Sequence, residues 1–591
     1  MKRPYLLREQ GKYILSWAKK EEIPEEALLF GGFSRESSED GPPPSPTLLL
    51  NVSFFAPEEL LPLAEAEKER LEENVFRSYV RDTREEPVAV ISKDPEKLKR
   101  FLALYGGLFS AQPFCLTKDP AFPQVEEIGL ERAEGKYRFS YLLWAPVEEE
   151  RCTFCGICGR VCPEEAALPG PTIDPRRCDL CRECEKACPE GALDLSRYEE
   201  VTEDFLFVVF LDEIPEEVPR KEGYLFGPDE LGEFFARLGS FEIHETVRFE
   251  EGRCQFVSRF GEGCRLCLTG CKALEIEESV SVDHFLCEDC GRCVGACPTG
   301  ALDYAPFEER SFVAYLEKIP LSGCTVIVGR EEDLLRLFWH PSFPKAGAFF
   351  FLVHEAPKAL GLSHLFSFLA KGASRVVFLA EEPAVLDFAN EIIAKLFGKT
   401  PFSSASLEDL PEVLSSEEPL FLEPQALTAF KGRRRYFAEL LRKLWTQAGR
   451  PSFELERDDF GWLEIDSGKC TLCLACLNEC RQEALAADEE NFSLTFTPAL
   501  CVACGVCEKT CPEGALKLKK GFFLREEFFE SLVLAQDEPV FCRRCGKVFG
   551  TKKSQEKVRQ TLSGLGRFGE MLPLLDYCED CRVKEIFEKM E

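Results

Sequence analysis

The residues best suited to chemistry in this sequence are its cysteines, which recur at one spacing. Cys152, Cys155 and Cys158 are two residues apart, and Cys162 follows after three more, directly before a proline. The same spacing returns at Cys178, Cys181, Cys184 and Cys188. Three thiolates this close along one loop can hold a single iron-sulfur cube, and in this pattern the fourth ligates the neighbouring cluster. The stretch 152–188 therefore predicts two [4Fe-4S] clusters.

This stretch closely resembles the bacterial two-cluster ferredoxins. The resemblance implies their compact fold of paired short hairpins and helices, with crossed ligation of the two clusters. One cluster would then be held by Cys152, Cys155, Cys158 and Cys188. The other would be held by Cys178, Cys181, Cys184 and Cys162.

A second complete pair of motifs lies near the end of the chain. By the same resemblance its clusters would be held by Cys470, Cys473, Cys476 and Cys511, and by Cys501, Cys504, Cys507 and Cys480. Arg481 stands where the first module has a proline. A cation beside a cluster favours the reduced, more negative state, so Arg481 could raise a local potential. The alternative is that this side chain reaches into solvent.

The middle pair of motifs is irregular. Its second motif, Cys287, Cys290, Cys293 and Cys297, is complete, but its first has only Cys264, Cys267 and Cys271, with Gly261 at the expected first position. With crossed ligation, Cys271 would bind the cluster of the complete motif, and Cys297 would bind the cluster of the incomplete motif. We favour Cys254, which follows Arg253 as Cys152 follows Arg151, as the missing ligand. The alternatives are a [3Fe-4S] cluster with Cys254 as a packed thiol, or a free iron site.

Four further cysteines near the C-terminus have a different spacing. Two C-x-x-C pairs, Cys542 with Cys545 and Cys578 with Cys581, are separated by 32 residues. Four thiolates in this arrangement are typical of structural zinc, and rubredoxin-like iron uses a similar set. A basic helix predicted for Lys552 to Gly564 favours zinc. Cys115 and Cys324 then remain outside any set, and we interpret Cys115 as a buried, packed thiol.

The segments between the motifs alternate strand-like and helix-like patterns. We predict strands at Leu48 to Phe55 and Pro87 to Ile91, a surface loop at Gly41 to Pro46, and a helix at Pro95 to Tyr105 capped by Asp94 or Ser92. Strands are also predicted at Phe205 to Leu211, Thr325 to Val328, Ala348 to Val353 and Arg375 to Leu379. Helices are predicted at Pro228 to Leu238, Glu331 to Trp339, Leu362 to Lys371 and Ala384 to Phe397. The segment after residue 306 suggests a small parallel sheet covered on both faces.

The predicted fold class is α+β multidomain, with three ferredoxin-like modules among α/β domains and a C-terminal zinc-ribbon-like domain. A length of 591 residues requires several domains. The predicted boundaries are 1–147 for an N-terminal α/β domain, 148–198 for module 1, 199–250 for a connecting α/β segment, 251–306 for module 2, 307–455 for an α/β domain, 456–520 for module 3, and 521–591 for the C-terminal domain.

Composition limits the classes of partner and compartment. A net charge of −32 opposes binding to nucleic acid, whose phosphates are also negative. The longest apolar runs are too short to span a bilayer, so direct membrane insertion is not expected. Thirty cysteines, most of them in metal-ligand spacings, behind an N-terminus that has no apolar signal region, predict a reducing, cytoplasmic compartment.

The expected function is single-electron relay through up to six clusters, since iron-sulfur cubes exchange electrons with little rearrangement. The overall plan is similar to the iron-sulfur subunits that accompany hydrogenases, formate dehydrogenases and related enzymes. This resemblance implies a redox enzyme and a second carrier as partners, and an electron-transfer component rather than an enzyme. Two alternatives remain open: an enzyme that uses an open iron near Cys264 as a Lewis acid, and a scaffold that passes its clusters on.

Overall fold

The computed structural model describes three strands before residue 45 and most of the range 45–590. Within that range the description excludes residues 53, 134–135, 169–171, 258–261, 269, 277–278, 342, 344–346, 417 and 565–568. Those strands, Lys2–Glu9, Lys12–Lys19 and Leu28–Leu29, form an antiparallel sheet. The chain folds into two compact units: a smaller unit, 78–244, and a larger unit, 1–77 with 245–591. No helix among the described residues is both long enough and apolar enough to cross a bilayer.

The smaller unit is built on a four-stranded parallel sheet. Its strands lie in the order Leu225–Phe226, Phe207–Phe210, Pro87–Ser92 and Ser110–Cys115. Every residue of the strand Phe207–Phe210 is buried, as expected for a central strand covered on both faces. Two helices, Pro95–Tyr105 and Leu231–Ala236, accompany this sheet, and the Asp94 side chain caps the first as predicted.

This sheet joins segments that lie on both sides of module 1 in the sequence. Strands from 87–115 and from 207–226 belong to one sheet, so the predicted N-terminal domain and connecting segment share a core. Residues 1–77 belong to the other unit instead. The sequence could not reveal this because the pairing strands are separated by the whole of module 1.

Module 1 is inserted in the smaller unit at the end of an antiparallel sheet. The strands Tyr198–Phe205, Lys136–Trp144 and Val125–Ala133 form this sheet. Beyond it the pairing continues through a bridge between Val147 and Leu193. The module adds the hairpin Ala167–Leu168 with Thr172–Ile173 and the helices Ile157–Val161 and Glu183–Ala187. A further pair, Ser78–Asp82 with Ser240–His244, completes the unit.

A second parallel sheet organises the larger unit. Its strands lie in the order Phe349–Val353, Thr325–Gly329, Arg375–Leu379 and Phe402–Ala405. Val326 and Val328 pack into one apolar cluster, while Ile327 between them packs into another. Both faces are therefore covered, as predicted. The unit's helices here are Glu309–Lys318, Glu331–Trp339, Leu362–Ala370, Leu386–Phe397, Leu410–Ser416 and Arg433–Gln447.

The strand predicted for Leu48 to Phe55 was wrong, because the structure has a helix, Pro46–Asn51. Ser45 caps it by accepting a hydrogen bond from the Leu48 N–H at 3.2 Å. Asn51 then donates to the Phe351 carbonyl at 2.7 Å and accepts from the Phe351 N–H at 2.8 Å. The Asn51 amide thus satisfies the backbone N–H and carbonyl groups of Phe351 at the edge of the parallel sheet. A longer helix, Pro57–Glu73, follows, and the predicted loop at Gly41 to Pro46 falls largely outside the described residues.

Modules 2 and 3 share a plan in which outer strands pair around an inner hairpin. The outer pairs are Val247–Phe249 with Leu302–Tyr304, and Gly461–Ile465 with Leu516–Lys520. The inner hairpins are Leu274–Ile276 with Val280–Val282, and Leu485–Asp488 with Ser493–Phe496, which Leu532–Gln536 extends. The short helices are Arg292–Ala296, Ala475–Asn478 and Val506–Thr510. Two further pairs are Phe256–Val257 with Glu262–Gly263, and Phe453–Leu455 with Phe522–Leu524.

The C-terminal region is a small hairpin followed by helices. Pro539–Phe541 pairs with Val548–Thr551, and the helices are Lys552–Gly564 and Glu579–Met590. The helix predicted between the two cysteine pairs is therefore present with its predicted bounds.

Two buried histidines make the larger unit sensitive to acid. Burial lowers the pKa of His354 to about 3 and that of His364 to about 4, from an ordinary value of 6.5. The unfolded chain therefore binds more protons below pH 6.5, and stability is lost as pH falls from there towards 4 and 3. The loss is on the order of 3 kcal/mol for each histidine. The protection factors of the Leu362–Ala370 amides against hydrogen exchange, which correct for slower intrinsic exchange in acid, should be lower at pH 5 than at pH 7.5.

Replacing His364 with Leu should reduce this pH dependence, whereas His340→Gln, at a half-buried position, should leave it unchanged. Equal pH dependence in both variants would contradict the assignment to buried histidine.

Candidate iron-sulfur and metal centres

The loops of the cysteine motifs share an unusual backbone conformation. In five of the motifs that the structure describes, the residues before and after the second cysteine both have positive φ. They are Phe154 and Gly156, Leu180 and Arg182, Asp289 and Gly291, Leu472 and Leu474, and Ala503 and Gly505. Left-handed residues within such turns direct successive backbone N–H groups inward, into a concavity that suits an anionic cluster. These loops therefore fit an iron-sulfur group.

Sulfur atoms in these loops also accept backbone hydrogen bonds. The N–H groups of Ala166 and Ala192 donate to Cys162 Sγ at 3.2 Å and to Cys188 Sγ at 3.3 Å. In module 3 the Ala515 N–H donates to Cys511 Sγ at 3.3 Å. Hydrogen bonds to the sulfurs are one means by which a protein tunes a cluster.

In the smaller unit, the eight thiols of module 1 gather in two sets. A cavity of about 420 Å³ is lined by Cys152, Cys155, Cys158 and Cys188. In the other set, burial raises the pKa of Cys184 to about 11, and the charges of Cys178 and Cys162 add to the rise. The charge of Cys162 also acts on Cys181. Each set thus combines three cysteines of one motif with the fourth of its sister.

Module 3 repeats this exchange. One cavity is lined by Cys470, Cys473, Cys476 and Cys511. Another is lined by Cys480, Cys501, Cys504 and Cys507. Burial raises the pKa of Cys476 and Cys504 to about 12. Because cluster ligation needs thiolates, loading these sites would release protons.

The irregular module also gathers its thiols in two sets. Burial raises the pKa of Cys267 to about 12, and the charges that add to this come from Cys297, Cys264 and Cys254. The structure therefore brings Cys254 to the incomplete motif. The complete motif is joined by Cys271, whose charge acts on Cys287 and Cys293.

Gly263 makes the irregular loop feasible. Its φ is 124°, and a Cβ atom at this position would lie 2.3 Å from the Gln255 carbonyl oxygen. A side chain here would separate the strand that follows Cys254 from the one that precedes Cys264. Sequence reasoning missed this glycine, because its role becomes clear only once the two strands are seen to pair.

Modules 2 and 3 contact each other within the larger unit. Arg481 donates to the carbonyls of Glu251 and Cys254, each at 2.9 Å. Gln255 donates to the Glu479 carbonyl at 2.6 Å, and Gln482 donates to the Arg253 carbonyl at 3.0 Å. Arg481 thus reaches the adjoining module while it remains exposed to solvent. Sequence reasoning missed both glutamines, because no spacing rule marks them.

The C-terminal cysteines form a compact four-sulfur site. The Sγ atoms of Cys542, Cys545, Cys578 and Cys581 all lie within 4.8 Å of one another. Burial alone would raise the pKa of Cys542, but backbone N–H groups, including those of Cys545 and Cys578, lower it to about 6. A thiolate is thus available near neutral pH, and four sulfurs at this separation suit one tetrahedral metal ion.

The two remaining cysteines are buried away from these sets. Cys115 is 2% exposed and its Sγ lies 3.5 Å from the Thr117 hydroxyl, and Cys324 is 7% exposed with the Pro320 carbonyl as its acceptor. Both are packed thiols.

Comparison with known proteins identifies the motifs. A 4Fe-4S dicluster domain matches residues 469–515, and 4Fe-4S binding domains match residues 145–167, 171–193 and 280–303. Residues 254–271 lie outside these matched ranges.

Curated relatives match over short segments. An archaeal-type glutamate synthase [NADPH] of Thermotoga maritima is 36% identical over 73 residues, which are 12% of this chain and 13% of the relative. The indolepyruvate oxidoreductase subunit IorA of Methanothermobacter marburgensis is 40% identical over 55 residues, 9% of each chain. That of Archaeoglobus fulgidus is 45% identical over 51 residues, 9% of this chain and 8% of the relative. The chain thus spans roughly a tenth of the length of these relatives. Together the matches show an iron-sulfur protein with ferredoxin-type 4Fe-4S domains, and they support a role in electron transfer.

Proposed function

We propose that this chain relays single electrons through up to six [4Fe-4S] clusters between a redox enzyme and another carrier. The observation that carries the proposal is the gathering of the motif cysteines into sets of four, each exchanging its fourth member with a sister motif. When bound, a cluster supplies a site that accepts and releases one electron with little rearrangement. Three ferredoxin-like modules would then carry two clusters each.

Four of these sets adjoin one another in the larger unit. The charge of Cys476, in the first set of module 3, acts on Cys507 in the second. The charge of Cys504 acts on Cys264, across the boundary between the modules. The charge of Cys267 acts on Cys293 within module 2. This succession supports a continuous row of four clusters, with the Cys254 set in its interior.

The protein's own residues would hold and insulate this row. The thiols of the interior sets are half-buried, except for the buried Cys297, and burial favours a cluster environment from which water is excluded. We assign the missing fourth ligand to Cys254 and a structural zinc ion to the four C-terminal cysteines, in a zinc-ribbon-like domain. The similarity to a glutamate synthase and to subunits of an indolepyruvate oxidoreductase supports redox enzymes as partners in general. We place the protein in the cytoplasm, where its thiols would remain reduced.

The relay is tested by interrupting the row. Cys504→Ala should remove the cluster of the Cys501 set, which adjoins module 2. Electrons should then reach the clusters on the far side of the gap about tenfold more slowly. Freeze-quench EPR after mixing the anaerobically purified chain with a fast reductant measures the filling of each signal. Cys115→Ala is the control, because this thiol lies outside the sets. Unchanged filling of every remaining signal would argue against a continuous row.

Arg481 should raise the potential of the cluster at Cys254. Burial raises the pKa of the Cys254 thiol, and the Arg481 guanidinium acts against that rise by stabilising negative charge. Arg481→Gln should therefore make this cluster harder to reduce, lowering its midpoint potential by roughly 30–60 mV, a few-fold to tenfold change for one electron. An EPR-monitored titration measures it. Arg442→Gln, which removes an arginine paired with Glu530, should leave the potential unchanged.

A further inference from the structure

A cavity beside the irregular module combines positive charge with an apolar wall. It has a volume of about 310 Å³ and reaches the ligand-motif residues Cys267 and Cys297. Among the described residues that line it are four arginines and one aspartate: Arg292, Arg433, Arg434, Arg457 and Asp459. In a chain with a net charge of −32, such a concentration of cations is unusual. From this arrangement we propose that the cavity binds a small organic carboxylate.

One of the four arginines is fully occupied by the protein. Arg433 Nε donates to Glu309 at 2.6 Å, and its Nη1 donates to the carbonyls of Val294 and Cys297 at 2.6 and 2.7 Å. Both charged side chains are buried. Arg433 therefore fixes the wall of the cavity and the loop that carries Cys297, and it does not serve as the ligand's main partner.

Arg434 is the side chain that points to a ligand. It is 5% exposed, it lies over the Phe460 ring at 3.8 Å, and one of its Nη groups donates to the Asp459 carbonyl. Its buried Nε has no hydrogen-bond partner among the described residues. A buried guanidinium N–H without an acceptor is unfavourable, so an oxygen atom in the cavity would satisfy it.

The Asp459 carboxylate lies beside two arginines, so the lining of the cavity keeps a net positive charge. Asp459 accepts from Arg457 Nε at 2.8 Å and lies 3.6 Å from Arg434. Arg457 is further held over the Phe388 ring at 4.2 Å. One aspartate thus faces two arginines, and the exposed Arg292 adds a third cation to the lining. The cluster proposed at Cys267 and Cys297 would offset part of this charge, and an anion in the cavity would offset the rest.

The remaining lining selects the class of anion. Leu362, Val385 and Phe437 provide an apolar wall. A planar guanidinium matches either a carboxylate or a phosphate, but only a ligand with a hydrocarbon part gains from contact with the wall. An organic acid with a short apolar body, such as benzoate or a 2-oxo acid, meets both requirements.

Calorimetry on the anaerobically purified full chain tests the site directly, whether or not the relay exists. Benzoate and pyruvate should bind with a stoichiometry of one, and inorganic phosphate should bind at least about tenfold more weakly. Arg434→Gln and Arg292→Gln should each weaken carboxylate binding, the first by about tenfold or more. The matched control is Arg435→Gln, next along the same helix, where the side chain pairs with exposed Glu483 at 2.8 Å.

Arg292 is exposed, so its variant reports on the site even if Arg434→Gln disturbs folding, which amide exchange would reveal. Binding of neither carboxylate at roughly millimolar concentration would overturn the proposal. So would binding that Arg292→Gln and Arg434→Gln both leave unchanged, or phosphate binding as tight as that of benzoate. If the proposed cluster is present at Cys267 and Cys297, a bound carboxylate should also lower the midpoint potential of that cluster. If the carboxylate binds but the midpoint potential does not change, the result would count against the cluster assignment and not against the carboxylate site.

Discussion

Replacing Cys254 with alanine is expected to convert one [4Fe-4S] cluster of the isolated protein to a [3Fe-4S] cluster or to remove it. Cys254 is brought to Cys264, Cys267 and Cys297, so its loss leaves that set with three thiolates. Of about 24 iron atoms per chain, roughly one to four should be lost, with the EPR signal of an oxidised three-iron cluster if the remainder stays bound. Iron analysis and EPR of anaerobically purified protein measure both effects.

Cys324→Ala is the matched control, since this buried thiol bonds to a backbone carbonyl and lies outside the sets. It should retain the full iron content. If Cys254→Ala retained the same iron and the same spectrum as the control, Cys254 would be a packed thiol and the irregular set would hold its cluster with three cysteines.

Replacing Cys578 with serine is expected to abolish metal binding at the C-terminal site and to unfold the region around it. The four sulfurs lie within 4.8 Å of one another and join the hairpin that begins at Pro539 to the helix Glu579–Met590. Structural zinc in small domains contributes on the order of 10–16 kcal/mol of apparent binding free energy, which such a domain depends on for folding. Zinc content should fall from about one per chain to near zero. Amide exchange in Glu579–Met590 should accelerate.

Cys115→Ser, which changes a buried thiol outside the site, should leave zinc content and exchange unchanged. Slow exchange of the C-terminal helix in metal-free Cys578→Ser protein would show that this domain folds without its ion. Iron in place of zinc in the native protein would favour the rubredoxin-like alternative.

Local patterns predicted those features in which a few neighbouring residues determine the outcome. The helix Pro95–Tyr105 has its predicted bounds because Asp94 caps it and Pro95 starts it. The strand Arg375–Leu379 also has its predicted bounds, since a short, buried run that is apolar after its first residue fits the interior of a parallel sheet. The comparisons confirm 4Fe-4S domains at residues 145–167, 171–193, 280–303 and 469–515, while the individual ligand sets stay a prediction that the geometry supports.

Features that depend on distant parts of the chain could not be predicted. The segment predicted as a strand at Leu48 to Phe55 begins instead with the helix Pro46–Asn51, which is buried along most of its length. Its partner, the strand Phe349–Val353, lies about 300 residues away. The unit boundary at residue 77 and the arginine-lined cavity have the same origin, since their components meet only in the folded chain.

The exposure of two ligand-motif cysteines has a consequence for handling the protein. Cys155 and Cys473 are exposed, whereas Cys293 and Cys297 are buried. Molecular oxygen would meet the sulfur of the outer pair first, because oxidation of thiolates follows their access to solvent. Damage in air should begin at the Cys155 and Cys473 sets and reach module 2 last, so a partly bleached sample would retain the spectrum of its innermost centres.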